Sequence, residues 1–394
     1  LSSSSAASDV YKRQIHYNNI IYIIMNDYKG GKLLAKGSRS CVLLPSIPCS
    51  SGEKVSKSKI SKITYGKNAK ESLEQERSLN SMINSIKGYN RWALTFEKFC
   101  NPMSYSELKK YDPKGMDDCL KGESYEMKEQ FNINSQMMIG EYGGITLEKY
   151  FTDHFTNISE KNLEKEFLKF MKMMKPVFLG LVEMGKNKIV HKDIKYNNIV
   201  VHKGLFKYID FGLSSHLKNK HEFKDRAQRE FSTSRLYTWY PVEYLFNYQN
   251  NNELEQELRD LNTKDVRSGT DLLSEIHLMF NRDYRYIIND AVIKVTNRMV
   301  DEDKMLLKID IYSVGILLPS LFLTKSNINY PYQRSQMIKE FYQLFEKMSE
   351  PYYESRISAE EAYKELLVLL RKHSKRSKRS IRDSKKSKKR SKKK

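Results

Sequence analysis

The chain has 394 residues, of which 39% are hydrophobic, 11% aromatic and 30% charged, and its formal net charge is +21. This length predicts two hydrophobic cores or one large unit of two lobes, not one small domain. The share of hydrophobic residues excludes a fully disordered chain. We expect no membrane-spanning helix, because no stretch approaches about 20 consecutive apolar residues.

The four cysteines, at positions 41, 49, 100 and 119, contain no CxxC pair. They are too few for a disulfide scaffold in a chain of this size, so a small secreted scaffold is excluded. We therefore predict reduced thiols and an intracellular protein that is neither secreted nor membrane-spanning.

The two ends of the chain differ from the rest in composition. Residues 1–24 resemble translated adaptor and upstream DNA, and we expect the protein to start at Met25, although a short targeting segment is the rival reading. Residues 371–394 contain fifteen of the 69 basic residues and one acid, Asp383. This composition predicts a disordered basic tail that binds nucleic acid or an acidic partner, or else is merely solvated.

Hydrophobic patterning predicts a strand-rich first third and a mostly helical remainder up to Arg371, and thus an α+β chain with segregated lobes. Strands are expected over residues 32–34, 41–44, 60–65, 137–139, 199–201 and 206–209. Helices are expected from about Leu73 to Ile86 and, as one long amphipathic element, over residues 162–184.

Two polar motifs lie on either side of the last predicted hairpin. The first is His191-Lys192-Asp193-Ile194-Lys195-Tyr196-Asn197-Asn198, and the second is Asp210-Phe211-Gly212. The hairpin can bring the amide of Asn198 close to the carboxylate of Asp210, and hard Mg²⁺ favours such oxygen ligands. The pair resembles the H-R-D-x-K-x-x-N and D-F-G motifs of eukaryotic-type protein kinases.

This resemblance implies a bilobal kinase-like fold, with a small β-rich N-lobe over residues 25–140 and a larger helical C-lobe over 141–370. An insertion at about 244–309 exceeds the usual connection. The implied activity is transfer of the γ-phosphoryl group of Mg-ATP to serine or threonine. In the family Asp193 and Lys195 are catalytic, while Asn198 and Asp210 bind nucleotide and hold the metal ion.

Weaker similarities supply the other nucleotide-binding residues. The stretch from Ala35 to Val42 resembles the glycine-rich loop but keeps only one glycine. Lys62 is expected on the third strand, with Lys57 and Lys59 as alternatives, and Glu76 as its partner, with Glu71 and Glu74 as alternatives. The residues implied to bind nucleotide here are Ala35, Gly37, Ser38, Val42, Lys62, Glu76, Glu141 and Gly143. Gly140 is expected to leave open apolar space behind the adenine.

Further motifs follow in the order typical of the family. They are Tyr240-Pro241-Val242-Glu243, similar to A-P-E, Asp310-Ile311-Tyr312-Ser313-Val314-Gly315, and Arg356, which would pair with Glu243. Candidate phosphorylated residues are Ser232, Thr233, Ser234 and Thr238. The stretch 139–144 and the Asn-, Lys-, Ile- and Tyr-rich composition are similar to kinases of nucleocytoplasmic large DNA viruses. Such an origin implies the host cytoplasm, the nucleus or the virion.

Three other functions stay open. The degraded glycine loop and Lys192, where the family has arginine, are compatible with a pseudokinase scaffold. A small-molecule phosphotransferase is the second, and a nucleic-acid-tethered binding module that uses the basic tail is the third.

Overall fold

The computed structural model describes residues 31–37, 39–52, 56–231, 238–247, 270–284, 286, 287, 290, 293 and 301–391. Residues 1–24 lie outside this part. The chain forms two compact units. Unit 1 consists of Leu1–Asn84 and Leu94–Tyr142, and unit 2 consists of Ser85–Ala93 and Gly143–Lys394. The division after Tyr142 falls two residues beyond the lobe boundary expected from the sequence, and the short segment Ser85–Ala93 joins unit 2.

Unit 1 contains a five-stranded antiparallel sheet in the order β1-β2-β3-β5-β4. Its strands are β1 (Lys32–Lys36), β2 (Ser40–Leu44), β3 (Lys59–Thr64), β4 (Phe96–Cys100) and β5 (Gln136–Glu141). Helix α1 (Ala69–Asn84) packs on the sheet through Leu73, Leu79 and Ile83, which recur at helical spacing and are buried. Of these elements, only β4 was absent from the sequence prediction.

Three short helices between β4 and β5 were also missed. They are α2 (Tyr105–Tyr111), α3 (Pro113–Cys119) and α4 (Tyr125–Asn134). Each is capped at its start by a side chain that accepts a backbone N–H of the first turn, and the accepting residues are Ser104, Asp112 and Ser124 respectively. Apolar side chains of these helices form one core with residues of β2, β3 and β5. The helices therefore extend the core of unit 1.

All four cysteines form disulfides, so the prediction of reduced thiols is wrong. Cys41 of β2 bonds to Cys119 of α3, and Cys49 bonds to Cys100 of β4. The partners are 78 and 51 residues apart in sequence, and the second partner of each pair lies on an element that the sequence did not predict. The spacing of the cysteines alone therefore did not reveal the pairing.

Unit 2 is mainly helical, as the sequence predicted. Its helices are α5 (Leu147–Phe155), α6 (Glu160–Met173), α7 (Lys175–Lys186), α8 (Lys220–Phe231), α9 (Thr270–Met279), α10 (Glu302–Leu307), α11 (Ile309–Lys325), α12 (Gln336–Met348) and α13 (Ala359–Ser391). Two small sheets pair β6 (Ile189–Val190) with β9 (Ser215–His216) and β7 (Ile199–His202) with β8 (Leu205–Tyr208). The predicted single helix over 162–184 is divided between α6 and α7, because Pro176 lacks the N–H that a helix interior needs.

One segment of the described residues, Glu302–Lys325, is apolar and long enough to cross a membrane. Charged residues interrupt it at Lys308 and Asp310, so it does not contain about 20 consecutive apolar residues. The most apolar part of the segment is 83% buried inside the protein. A buried core helix has the same composition, and α11 packs in the interior of unit 2.

The basic tail differs from the sequence prediction as well. Helix α13 continues to Ser391, so the backbone up to that residue is helical instead of disordered. Lysine and arginine are good helix formers. The first part of the helix is also packed into unit 2 through the buried side chains of Ala362 and Leu366. Lys372 Nζ and His373 Nε2 also lie 2.8 and 2.9 Å from Oε2 of Glu340 on α12.

Candidate active site

The loop between β6 and β7 holds a buried carboxylate in a fixed orientation. Lys195 Nζ lies 3.0 and 2.9 Å from the two oxygens of Asp193, which is 7% exposed. Asn198, in the 3-10 turn Tyr196–Asn198, donates from Nδ2 to Asp193 Oδ2 at 2.7 Å and to its backbone oxygen at 2.9 Å. The three side chains predicted for this loop are thus brought together.

A second buried carboxylate, that of Asp310, holds the backbone of the loop between β6 and β7. Asp310, in the first turn of α11, accepts the backbone N–H groups of His191 at 2.6 Å and Lys192 at 3.1 Å. Lys192 has a φ of 61°, a left-handed conformation that non-glycine residues rarely adopt. Burial raises the pKa of Asp310, and the two backbone hydrogen bonds oppose that shift. The D-x-Y-S-x-G motif therefore fixes the backbone next to Asp193.

The hairpin of β7 and β8 brings Asp210 close to Asn198. The backbone N–H of Ile209 donates to the Asn198 oxygen at 3.0 Å, and Asp210 follows with a φ of 60°. Because Asn198 uses its Nδ2 on Asp193, its side-chain oxygen is the atom left for a cation. Among the described residues no group of three or more His, Cys, Asp or Glu side chains could hold a metal ion. An amide oxygen and a carboxylate fit Mg²⁺, which commonly takes few protein ligands together with phosphates.

In unit 1, Lys62 and Glu76 form the predicted ion pair. Lys62 Nζ lies 3.0 and 3.1 Å from the two Glu76 oxygens, and the side chains are 15% and 9% exposed. The alternatives are elsewhere. Lys59 pairs with Glu97 at 2.5 Å, and Lys57, Glu71 and Glu74 are exposed.

The loop between β1 and β2 is a tight turn. Lys36 pairs with Cys41 in the register of the two strands, and the Gly37 N–H donates to the Ser40 oxygen at 2.8 Å. Ala35 and Gly37 are exposed, and Val42 is half-buried on β2. Ser38 lies outside the described residues. Two of the predicted loop residues are therefore open to solvent.

The segment after β5 requires a glycine that the prediction did not single out. Glu141 ends β5 and is exposed, and Gly143 is buried. Gly144 has a φ of 89°, and a Cβ at this position would lie 2.3 Å from the backbone oxygen of Val201. No other residue fits so close to β7.

The expectation of open space at Gly140 is wrong. A Cβ added to Gly140 would lie 3.1 Å from the Thr95 oxygen and 3.2 Å from Cδ1 of Phe96. Phe96 is the register partner of Gly140 on β4, and its ring edge covers the glycine. The space that a side chain at position 140 would occupy is filled by an element that the sequence did not predict.

Lys192 makes contacts that the sequence did not reveal. Its Nζ donates to Ser215 Oγ, which in turn donates to Glu222 of α8. Glu222 Oε2 lies 4.0 Å from Lys192 Nζ, and the ammonium lies 4.7 Å from the ring centroid of Phe223. The buried cation is thus neutralised by a carboxylate of the same unit.

Glu243 and Arg356 form the predicted pair. Both side chains are fully buried, with Arg356 Nη1 2.7 Å from Glu243 Oε1. The guanidinium also donates to the backbone oxygens of Glu350, Lys308 and Pro351. Burial raises the pKa of Glu243 to about 7, although Arg356 opposes the shift. Of the candidate phosphorylated residues, 232–234 lie outside the described residues, and Thr238 is half-buried.

Comparison with known protein families supports a protein kinase. The family model described as "Protein kinase domain" matches residues 124–255, a range that includes Asp193, Asn198, Asp210 and Glu243. No curated protein matches the chain significantly. The antiparallel sheet of unit 1 and the helical unit 2 correspond to the α+β protein kinase fold with its two lobes.

Proposed function

We propose that the protein transfers the γ-phosphoryl group of Mg-ATP to serine or threonine hydroxyls of protein substrates. The observation that supports this most is the buried Asp193 carboxylate, which is oriented by Lys195 and Asn198 at hydrogen-bonding distance. A carboxylate held in this way can accept the proton of a hydroxyl as the oxygen attacks phosphorus.

Lys195 is proposed to stabilise negative charge on the transferred group. Its side chain is 32% exposed, so the ammonium can contact both Asp193 and a phosphoryl oxygen. The lysine two residues after the aspartate is also the arrangement of Ser/Thr kinases in the family that the motif resembles. This residue therefore supports serine and threonine as acceptors.

ATP and Mg²⁺ are the proposed cofactors. Asn198 and Asp210 would hold the metal ion through oxygen atoms, and the ion would neutralise charge on the phosphates. Lys62 is the proposed cation for the α- and β-phosphates, and Glu76 keeps its ammonium in place. The turn between β1 and β2, which contains Gly37, would cover the phosphates.

The test is phosphotransfer from labelled ATP, with Mg²⁺, to three peptides that differ only in carrying serine, threonine or tyrosine. Asp193→Asn removes the proton acceptor, and we expect at least a hundredfold loss of kcat. Asp153→Asn is the matched control, since Asp153 is an exposed residue of α5 and pairs only with Lys149 among the contacts described. Asp210→Asn weakens a metal ligand, so its loss of kcat should become smaller as the Mg²⁺ concentration is raised. The loss of kcat in Asp193→Asn should not depend on Mg²⁺ in this way.

Parent-like turnover in Asp193→Asn would refute the proposed mechanism. If the parent protein binds Mg-ATP but phosphorylates none of the peptides or itself, the pseudokinase scaffold becomes the better description. Preferential transfer to the tyrosine peptide would overturn the proposed acceptor.

A further inference from the structure

Helix α1 carries a buried amide one turn after Glu76. Asn80 is 3% exposed, although the face of an amphipathic helix that meets a core is normally apolar. Its Nδ2 donates to the Glu76 backbone oxygen at 2.6 Å, and its Oδ1 accepts the N–H of Phe96 at 2.9 Å. The side chain thus joins α1 to the first residue of β4, and both ends of the amide are satisfied.

The residue that Asn80 holds is in contact with the neighbourhood of Lys62. The Phe96 ring edge covers Gly140, and its centroid lies 5.9 Å from Lys62 Nζ. Lys62 pairs in turn with Glu76. The four residues Lys62, Glu76, Asn80 and Phe96 therefore form a closed series of contacts within unit 1. In this series the buried Asn80 side chain joins α1 to β4 by accepting the Phe96 N–H.

We propose that Asn80 is a positioning residue for Lys62. By fixing Phe96 relative to α1, it keeps both the aromatic ring and the Glu76 carboxylate close to the ammonium. The consequence for catalysis rests on the proposed function, because it requires Lys62 to contact nucleotide phosphates. The effect on the lysine itself does not, since it depends only on contacts in the nucleotide-free protein.

The chain offers a closely matched control. Asn84 lies one turn further along α1 and also reaches the start of β4, where its Oδ1 accepts the Thr95 hydroxyl at 2.7 Å. Unlike Asn80, it is exposed and has no described contact with Glu76 or Phe96. Replacing either asparagine with leucine removes a link between the same two elements, but only Asn80→Leu breaks the series that contains Lys62.

The first measurement is the rate at which an amine-reactive acetylating reagent modifies Lys62 in the nucleotide-free protein, followed by mass spectrometry. Lys67, whose side chain is 73% exposed, serves as the internal reference. We expect Asn80→Leu to raise the rate at Lys62 at least fivefold relative to Lys67. Asn84→Leu should leave it within twofold of the parent.

The second measurement is kcat and KM for ATP. We expect kcat/KM to fall at least tenfold in Asn80→Leu, and less than twofold in Asn84→Leu. A parent that transfers no phosphoryl group would refute the proposed function, while the acetylation rates would still test the role of Asn80.

An unchanged rate of Lys62 acetylation in folded Asn80→Leu would overturn the proposal. If that variant does not fold, Phe96→Ala takes its place, because it removes the ring from the ammonium but keeps the backbone hydrogen bond to Asn80. Lys62 acetylation at the parent rate in Phe96→Ala would equally overturn it, and a rise of at least threefold would support it.

Discussion

Acid should destabilise unit 2 through one buried histidine, His277 of α9. Its side chain is 1% exposed, stacks on Tyr284 with ring centroids 5.1 Å apart, and hydrogen-bonds the Tyr312 hydroxyl at 3.1 Å through Nε2. Among the described residues, its Nδ1 has no hydrogen-bond partner. Burial, together with the positive charges of Arg282 and Arg356, lowers the pKa of His277 from 6.5 to about 3.

The sign and size of the effect follow from this shift in pKa. In the unfolded chain the histidine takes up a proton near pH 6.5, whereas in the folded protein it stays neutral down to about pH 3. Its contribution to stability is therefore fully present above pH 6.5 and is lost as the pH falls. Each pH unit in this window costs about 1.4 kcal/mol, which gives roughly 2 kcal/mol between pH 6.5 and pH 5.

The assay compares the parent with His277→Phe, which keeps an aromatic ring against Tyr284 but cannot be protonated. The chain has two tryptophans, Trp92 and Trp239, and both lie in unit 2 and are buried. Urea unfolding followed by tryptophan fluorescence therefore reports on this unit. The variant is expected to be less stable at pH 7, and the difference from the parent should shrink by about 2 kcal/mol at pH 5.

His221→Phe provides the control, since His221 is exposed on α8. This variant should follow the pH profile of the parent. Parallel profiles for the parent and His277→Phe would show that the buried imidazole does not titrate as argued, and would refute the reasoning.

Three further outcomes are expected. Glu222→Gln removes the negative charge next to Lys192 Nζ and should lower kcat several-fold. Phosphatase treatment of the parent should leave most of its activity. Peptide phosphorylation measures both outcomes. Cys119→Ser opens the disulfide with Cys41 and should lower the stability of unit 1 by about 2–4 kcal/mol, read from hydrogen exchange of β2 and β3. Truncation after Lys375 should preserve peptide phosphorylation but weaken binding to DNA and reduce its salt dependence, measured by titration at several salt concentrations.

Where the sequence succeeded, the deciding signal was local. Asp193, Lys195 and Asn198 lie within one short loop, and a hairpin of two regular strands brings Asp210 to them. Lys62 and Glu76 could be chosen over their neighbours because a strand alternates with period 2 and a helix with period 3.6, so that only certain positions face inward.

The features that the sequence did not predict depend on contacts between residues far apart in the chain, or on elements with a weak hydrophobic pattern. Strand β4 has a charged centre, Glu97-Lys98, and a weak alternation, so neither the strand nor its filling of the space at Gly140 was expected. Cys100 and Cys119 lie on β4 and α3, which the sequence did not predict, so their distances from Cys49 and Cys41 could not be inferred. The break in the helix over 162–184 was different in kind. Pro176 was visible in the sequence, and the apolar periodicity on either side outweighed it.

The contacts of Lys192 explain how the loop around Asp193 can be held without a phosphate group. A buried ammonium must be neutralised, because an unpaired charge in the interior is costly. In this chain Glu222 does so through Ser215, and Glu222 lies in the first turn of the helix that follows β9. A phosphate group brought to the same ammonium would have to displace this carboxylate and would meet its negative charge. Phosphorylation therefore stabilises the loop less here than in a protein whose corresponding cation has no carboxylate partner before it binds the phosphate group. The arrangement favours an activity that depends only moderately on phosphorylation.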